Sequence, residues 1–265
     1  MNKPSTVEGD APVDMKYRAP ALEKGLDVLE LLVTEARPLT MSEICQRLRR
    51  SQGEMFRMVQ VLQSRGFVEQ DGSSDGYYLT DRLFSMAMRQ PRTQALVEVA
   101  LPRMRQLAMR IGQSCHLAMH ARGEIVVVAR MESMEQIGFS VRVGYRRSIV
   151  SAVSGTTLFG FQPADVRERW LDMIDRSIAR AEVEAFVERA DKAREQGYAR
   201  APSSFVGGVT DISAPIIRGD RAAAALTVPC IKHANSQAGV AEVTREVVGM
   251  AAEISGRLVE GDSRV

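Results

Sequence analysis

Residues that could act as a nucleophile and its base are few in this chain. Cys115 and Ser154 are the candidate nucleophiles, and His116 directly follows the cysteine. A thiol or hydroxyl beside an imidazole is the arrangement of covalent catalysis, so an enzyme is one hypothesis. However, the sequence contains none of the patterns GxSxG, GxGxxG, GxxxxGKS/T or HExxH. Only residue types support the enzyme hypothesis.

Metal binding has a similarly weak basis. His116 and His120 lie four residues apart on a predicted strand, which separates them by about 13 Å, too far for one zinc ion. Cys230 and His233 are three residues apart and would need ligands from elsewhere. Three cysteines without CxxC spacing argue against a zinc ribbon and against a disulfide framework. We expect no metal and no cofactor.

The strongest chemical signal is a cluster of arginines between residues 37 and 65. This segment holds six arginines against two glutamates, a local charge of +4, and since the whole chain carries +2, the rest carries −2. The arginines are Arg37, Arg47, Arg49, Arg50, Arg57 and Arg65. Positive charge concentrated in one segment predicts a polyanionic partner.

Three short helices must position these arginines. Leu22, Leu26, Leu29 and Val33 recur at helical spacing and predict an amphipathic first helix. A capping-box pattern at residues 40–43 begins a second helix. A third is predicted from Ser51 to the left-handed cap at Gly66, with Met55, Val59 and Leu62 directed inward.

A β-hairpin follows, with strands at residues 67–70 and 77–79 around the turn DGSSDG. Three helices and a hairpin within about 60 residues are the layout of a winged helix-turn-helix, whose third helix is narrow enough for a major groove. Two alternatives stay open. The segment could be a helical domain with a solvated basic face, or part of a ligand sensor that docks a protein partner.

The remaining chain predicts a second, α+β domain. A helix near residues 81–89 precedes a break at 90–93, where we place the boundary, and a helix then runs to Gly112. Period-two segments predict a hairpin at residues 115–129 and further strands at 139–143, 209–217 and 222–228. Helices are predicted after Ser154 and near residues 163–175, 182–196 and 236–258. The domains are therefore a disordered tail (1–18), a winged helix-turn-helix domain (19–80), a linker helix (81–92) and a sensor domain (93–262).

Length and composition limit the classes of protein to which the chain can belong. A chain of 265 residues, 45% hydrophobic and 26% charged, can build domains with real cores. Its longest apolar stretch, residues 222–231, is too short to span a bilayer, and residues 1–18 lack the apolar segment of a signal peptide. We expect a cytoplasmic protein with no membrane contact.

The ordered set of motifs resembles the isocitrate-lyase-regulator (IclR) family of bacterial transcription factors. The resemblance runs from about Ala21 to Leu258. Its segments are ALEKGLDVL (21–29), LTMSEI (39–44), FRMVQVL (56–62), RGFV (65–68), YLT (78–80), GEIVVV (123–128), GVTDISAP (208–215) and ALTV (225–228). It implies an N-terminal winged helix-turn-helix, a linker helix and a C-terminal effector-binding domain similar to GAF and PAS sensors. It also implies a homodimer or dimer of dimers that binds double-stranded operator DNA.

The resemblance assigns DNA contacts to the start of the third helix, Gln52, Gly53 and Glu54, and to Arg57 one turn later. The family commonly has Lys-Ser-Thr where this chain has Gln52 to Glu54, which puts the operator sequence in doubt. Glu54 either accepts from a cytosine amine or complements the helix N-terminus. Arg57 is the expected base contact. The expected phosphate contacts are Thr40, Arg49, Arg50, Ser51 and Tyr77.

The resemblance also implies a pocket for a small carboxylate. The matching positions are Val153, Ser154, Asp211, Thr227 and Pro229. Val153 and Ser154 directly precede a predicted helix, whose free N–H groups favour an anion. Asp211 would repel one unless it is protonated or paired, with Arg142 or Arg146 as the expected partner. Either the effector carries a donor such as a phenol or amine, or Asp211 caps local backbone and the pocket lies elsewhere.

Taken together, the sequence predicts a ligand-responsive DNA-binding regulator of a catabolic operon, with a small carboxylate or aromatic acid as effector. Dimerisation belongs to this prediction because a single recognition helix covers only a few base pairs. The candidate dimer surfaces are the first helix and the linker helix with Leu83, Phe84 and Met86. A sensor or a cysteine- or serine-dependent enzyme without DNA binding is the alternative.

Overall fold

The structure is a computed structural model. It describes residues 19–35, 37–72, 74–88, 91–135, 138–231 and 239–262, with the backbone alone at 87–88, 91–94 and 259–262. The predicted tail at residues 1–18 and His233 lie outside the described residues. Two compact units divide the chain between Gln90 and Pro91.

The N-terminal unit consists of helices followed by a two-stranded hairpin. Its elements are α1 (Pro20–Glu35), α2 (Met41–Leu48), α3 (Gln52–Ser64), β1 (Val68–Gln70), β2 (Tyr77–Leu79) and α4 (Arg82–Met88). β1 and β2 are antiparallel, and Leu39 adds a single bridge to Tyr77. The core between the three helices and the hairpin contains Val28, Ile44, Met55 and Val59.

Of the apolar stripe predicted on α1, only Leu29 packs against this core. Val28 and Leu32 are buried, whereas Leu22, Leu26 and Val33 are exposed. The helix is apolar on more than one face, so periodicity alone did not distinguish the face that packs. The exposed stripe is therefore available to another surface.

The C-terminal unit is a six-stranded antiparallel sheet with helices on both faces. Its strands are β3 (Cys115–Ala121), β4 (Glu124–Met131), β5 (Arg146–Ser148), β6 (Ala199–Pro202), β7 (Val209–Arg218) and β8 (Arg221–Ile231). Their order across the sheet is β5-β4-β3-β8-β7-β6. The helices are α5 (Pro91–Ile111), α6 (Val153–Gly160), α7 (Ala164–Asp172), α8 (Arg180–Gln196) and α9 (Val240–Asp262). The fold class is α+β, as predicted.

Alternation along the strands supplies two cores. On one face of the sheet, Leu117 and Leu226 pack in a cluster with Met104 of α5 and Val247 of α9. On the other face, Ala118 and its neighbours pack against α6, α7 and α8 in a separate cluster. Because successive side chains of a strand point to opposite faces, His116 and Thr227 lie on the α6 side.

One predicted strand is wrong. Residues 139–143 form no regular element, and the strand that pairs with β4 is β5. The alternation of Phe139 and Val141 that suggested a strand places both beside a cavity instead. The sequence analysis also missed β6, a short edge strand that pairs with β7. None of the described helices has the length and apolar character needed to cross a bilayer.

Candidate functional site

The basic segment folds into α2, α3 and their connections, and only some of its arginines have acidic partners. Arg37 donates to Glu43 at 2.8 Å, and Arg47 pairs with Glu35. Among the described residues, the other four arginines of this segment are exposed and form no ion pair. They are Arg49, Arg50, Arg57 and Arg65. Four unneutralised guanidinium groups on one small unit give it a positive surface.

The first turn of α3 is open to solvent. Gln52, Gly53 and Glu54 are all exposed, and a Cβ added at Gly53 would meet no atom within 4 Å. The backbone at Gly53 is therefore accessible to a close partner. Arg57 lies one turn later on the same helix and is also exposed.

Glu54 is held by an ion pair that joins α1 to α3. Lys24 Nζ donates to Glu54 Oε1 at 2.8 Å. This hydrogen bond, with a second from Ser51, lowers the pKa of Glu54 below its usual value. Of the two roles predicted for Glu54, its position at the start of α3 fits a carboxylate that complements the helix N-terminus, here with Lys24 as partner.

Thr40 and Ser51 are the N-caps of α2 and α3. The Thr40 hydroxyl accepts from the Glu43 backbone N–H, and Glu43 accepts from the Thr40 backbone in return. These bonds and the Arg37 guanidinium lower the pKa of Glu43 to about 2. Ser51 makes no side-chain capping bond and directly follows the unpaired Arg49 and Arg50, whereas Thr40 lies at the opposite end of α2 from them.

The hairpin contradicts one predicted contact. Tyr77 is only 6% exposed and packs in the core of the N-terminal unit, so its side chain is not on the surface. The exposed tyrosine is Tyr78, which donates to Glu69 at 2.9 Å. The sequence analysis therefore assigned the phosphate contact to the buried one of two adjacent tyrosines. Residues 68–79 also contain three carboxylates and no lysine or arginine, which is unfavourable beside phosphate.

The C-terminal unit encloses a cavity of about 280 Å³ between the sheet, the start of α6 and two loops. Four of the five predicted effector positions border it. The lining residues are His116, Ile125, Val127, Phe139, Ser140, Val141, Arg142, Tyr145, Arg147, Ser151, Ala152, Val153, Ser154, Ser203, Ser204, Phe205, Asp211 and Thr227. The fifth position, Pro229, pairs with Asp211 in the sheet and is not among the lining residues.

The N-terminus of α6 forms one wall. Ala152 precedes the helix and provides no side-chain cap, so the first N–H groups are left for another acceptor. Ser154 is buried, and among the described residues its hydroxyl has no hydrogen-bond partner. A Cβ at Gly155 would lie 2.1 Å from the Ile149 carbonyl oxygen, so only glycine allows this close approach.

Asp211 faces the cavity with Arg147 as its cationic neighbour. Burial raises the pKa of Asp211, while a hydrogen bond from Ser203 and the charge of Arg147 oppose this rise. The expected partner Arg146 instead pairs with Glu124 at 2.6 Å. The cavity therefore contains a carboxylate beside a guanidinium. The sequence analysis expected Arg146 in this place, and the arginine that occupies it is the next residue, Arg147.

His116 is the least expected member of the cavity wall. It is 6% exposed, and its Nδ1 is completely enclosed without a hydrogen-bond partner. Burial lowers the pKa of His116 to about 4, so the ring is neutral at pH 7. In the sequence, the one sign of this position was a histidine within a largely apolar strand.

The mouth of the cavity is aromatic. Phe205 is 65% exposed. Its ring centroid lies 6.0 Å from that of Tyr145 and 5.8 Å from the Arg147 guanidinium. Ser204 donates to the Ser151 carbonyl and ties the Phe205 loop to the residues before α6. The buried His116, Ser154 and Thr227 thus line the closed end, and Phe205 with Arg147 beside it lies at the opening.

Neither nucleophilic nor metal chemistry has support in this geometry. Burial raises the pKa of Cys115 to about 12, so the reactive thiolate is not formed at neutral pH. Across the described ranges, no three histidine, cysteine or acidic side chains gather closely enough to hold a metal ion.

Two family models match the chain. Residues 21–72 match the IclR helix-turn-helix domain, and residues 90–256 match the bacterial transcriptional regulator IclR C-terminal domain. The second match alone covers more than half of the chain. The first match lies within the N-terminal unit, and the second, apart from its first residue, lies within the C-terminal unit.

Several characterised proteins are similar over most of their length. The HTH-type transcriptional regulator KdgR of Escherichia coli (strain K12) is 27% identical over 212 residues, 78% of this chain and 81% of that protein. The glycerol operon regulatory protein of Streptomyces coelicolor is 29% identical over 203 residues, which are 74% of this chain and 78% of that protein. A crystal structure of an IclR homolog from Microbacterium hydrocarbonoxydans complexed with 4-hydroxybenzoate superposes with a TM-score of 0.76 at 24% identity. It covers 91% of this chain and 99% of that one, which shows the same fold.

Proposed function

We propose, from the premise that this chain belongs to the IclR family of bacterial transcriptional regulators, that it controls a catabolic operon in response to a small organic acid. The family assignment makes it a DNA-binding regulator with a C-terminal effector domain rather than an enzyme. The observation that carries the acid-responsive function is the cavity at the uncapped N-terminus of α6.

The DNA contacts follow from the exposed face of α3. We place its N-terminal turn in the major groove, where Arg57 donates two hydrogen bonds to a guanine edge. Gln52 and Gly53 approach neighbouring bases, and Arg49 and Arg50 contact phosphates on either side. The unpaired guanidinium groups supply the attraction, because each phosphate contact releases condensed counterions.

The effector class follows from the chemistry of the cavity. The α6 N-terminus and Ser154 offer neutral donors to a carboxylate. Asp211 offers an acceptor, so an acid that also carries a hydroxyl or amine satisfies both groups. The apolar walls, with Phe139 and Val141 among them, suit an aromatic ring. We therefore take hydroxylated aromatic acids as the first candidates, and the 4-hydroxybenzoate bound by the structural neighbour is of this type.

The regulator works as a homodimer or a dimer of dimers in the cytoplasm, where its operator is. The exposed apolar side chains of α1, Leu22, Leu26 and Val33, support this assignment, as do Phe84 and Met86 of α4. Pairing two recognition helices makes the second half-site contact intramolecular and so raises affinity. An effector that orders the Phe205 loop and the start of α6 shifts the two DNA-binding units through the linker segment. That shift is limited by the difference in effector affinity between the two states.

The test is selection of duplexes from a random library by the full chain, followed by fluorescence anisotropy. We expect one enriched sequence family whose affinity falls steeply as salt rises. Addition of 4-hydroxybenzoate should change that affinity. The Arg57→Ala variant should lose the preference for the enriched sequence, whereas Arg65→Ala, which removes an unpaired arginine from the far end of α3, should weaken all duplexes alike. Absence of enrichment in low salt would refute the proposal.

A further inference from the structure

The His116 side chain has a polar atom whose hydrogen-bonding capacity the protein leaves unused. Buried nitrogen atoms almost always have a hydrogen-bond partner, because an unpaired one keeps the full cost of its dehydration. Nδ1 of His116 is enclosed and unpaired, and the ring borders the cavity. An apolar side chain would fill this strand position without that cost. The enclosed Nδ1 cannot reach a ligand, so only the other ring nitrogen can serve one in the cavity.

The enclosed Nδ1 fixes the position of the ring proton. A neutral imidazole has one N–H donor and one acceptor nitrogen. A proton on Nδ1 would bury a donor without an acceptor, whereas a proton on Nε2 leaves only a lone pair enclosed. Nε2 is then the donor, and it is the nitrogen that the ring can present to the cavity. Burial keeps the ring uncharged at neutral pH.

The groups around His116 at the closed end are also donors. Ser154 and the first N–H groups of α6 border the same cavity, and α6 packs against β3. Thr227, opposite His116 in the sheet, already donates its hydroxyl to Ser213 at 2.9 Å. Asp211 is the exception, because it accepts from Ser203, lies near Arg147 and keeps lone pairs for the hydroxyl of the acid. A group that enters this end must therefore supply acceptors, and a carboxylate provides four lone-pair sites.

We propose that His116 is an effector-binding residue whose Nε2–H donates a hydrogen bond to the carboxylate of the bound acid. This inference rests on the proposed function, since it places the same effector in the same cavity. It adds a specificity: the site binds the acid through neutral donors, and His116 is one of them. A hydrogen bond to a charged group is worth about 1.5–3 kcal/mol, about tenfold to hundredfold in affinity.

Two substitutions separate the donor from the shape of the ring. His116→Gln keeps an N–H group near the position of Nε2, and His116→Leu removes it while filling the strand position. Titration calorimetry with 4-hydroxybenzoate should give an affinity within about threefold of the unmodified chain for the first variant. The second should bind tenfold to hundredfold more weakly. Circular dichroism should show that both variants are folded.

His120 provides the matched control. It lies on the same strand and the same face, outside the cavity, where it stacks on Trp170 and accepts from the Gly123 N–H at 3.0 Å. His120→Gln should leave the affinity for 4-hydroxybenzoate unchanged. Equal weakening by the His120 and His116 variants would show a general effect on the sheet and would overturn the proposal.

A measurement without any acid tests the ring directly. The chain has three histidines, so a long-range proton–nitrogen spectrum compared with that of His116→Gln identifies His116. At pH 7 we expect the neutral form with the proton on Nε2. A proton on Nδ1 or a charged ring would overturn the proposal.

The binding experiments distinguish failure of this inference from failure of the proposed function. If the unmodified chain binds no 4-hydroxybenzoate, the proposed effector class is wrong, and the role of His116 in binding it is wrong as well. If the chain binds and His116→Leu binds equally well, only the role of His116 fails.

Discussion

The buried imidazole of His116 should make the C-terminal unit sensitive to acid, and His116→Gln should remove part of that sensitivity. Burial lowers the pKa of His116 from 6.5 to about 4. The unfolded chain then takes up a proton near pH 6.5, whereas the folded chain does so only near pH 4. The free energy of unfolding is therefore unaffected by this residue above pH 6.5 and decreases as the pH falls from 6.5 towards 4.

The size of the effect follows from the difference between the two pKa values. Each pH unit of difference corresponds to 1.36 kcal/mol, so the full effect is about 3 kcal/mol. At pH 4.5 most of it is expressed, about 2.5 kcal/mol. The unmodified chain should lose this much more stability between pH 7.5 and 4.5 than His116→Gln, because glutamine does not titrate.

Trp170 makes the assay specific to the C-terminal unit. It is the only tryptophan of the chain and lies on α7, so its fluorescence during urea unfolding reports that unit. Because the Trp170 ring centroid lies 3.7 Å from that of His120, each pH needs its own folded baseline. Burial also lowers the pKa of His120 to about 4, so His116→Gln should keep some acid sensitivity. An equal loss of stability in both proteins would refute the assignment of a buried, neutral His116.

Four further outcomes are expected. Arg57→Ala should cost about 1–3 kcal/mol at the selected operator in anisotropy titrations and relax base preference there, and an equal loss on random DNA would make it a phosphate contact. Lys24→Ala should weaken operator binding by exposing the Glu54 carboxylate at the start of α3, and adding Glu54→Ala should restore it; a double variant as weak as Lys24→Ala would assign the effect to lysine itself. Ser154→Asp should abolish the response to 4-hydroxybenzoate and leave DNA binding intact, whereas unchanged acid affinity in calorimetry would remove Ser154 from the site. Asp211→Asn should reduce the preference for 4-hydroxybenzoate over benzoate, and an unchanged ratio would show that the hydroxyl binds elsewhere.

Local patterns were sufficient for most of the elements. The capping box at Thr40 and Glu43 and the left-handed Gly66 depend on residues only a few positions apart, and both are present. The hairpin strands were predicted to within one residue. Such features can be predicted from the sequence because their hydrogen bonds join residues that are close together in the chain.

The strands of the C-terminal unit were harder to predict from the sequence. Residues 139–143 have the alternation of a strand, but they face a cavity and pair with no neighbour. Alternation reports which side chains are buried, not what buries them. The edge strand β6 is too short for its pattern to stand out.

Spacing and composition were enough to predict the order of elements, the position of the basic segment and the type of each domain. The tertiary structure alone decided which charges remain available. Lys24 meets Glu54 across 30 residues, and Arg147 rather than Arg146 faces Asp211. It also decided that Tyr77 is inside and that His116 has an unpaired nitrogen beside the cavity. These facts depend on contacts between distant segments, and a shift of one residue along a strand turns a side chain to the opposite face.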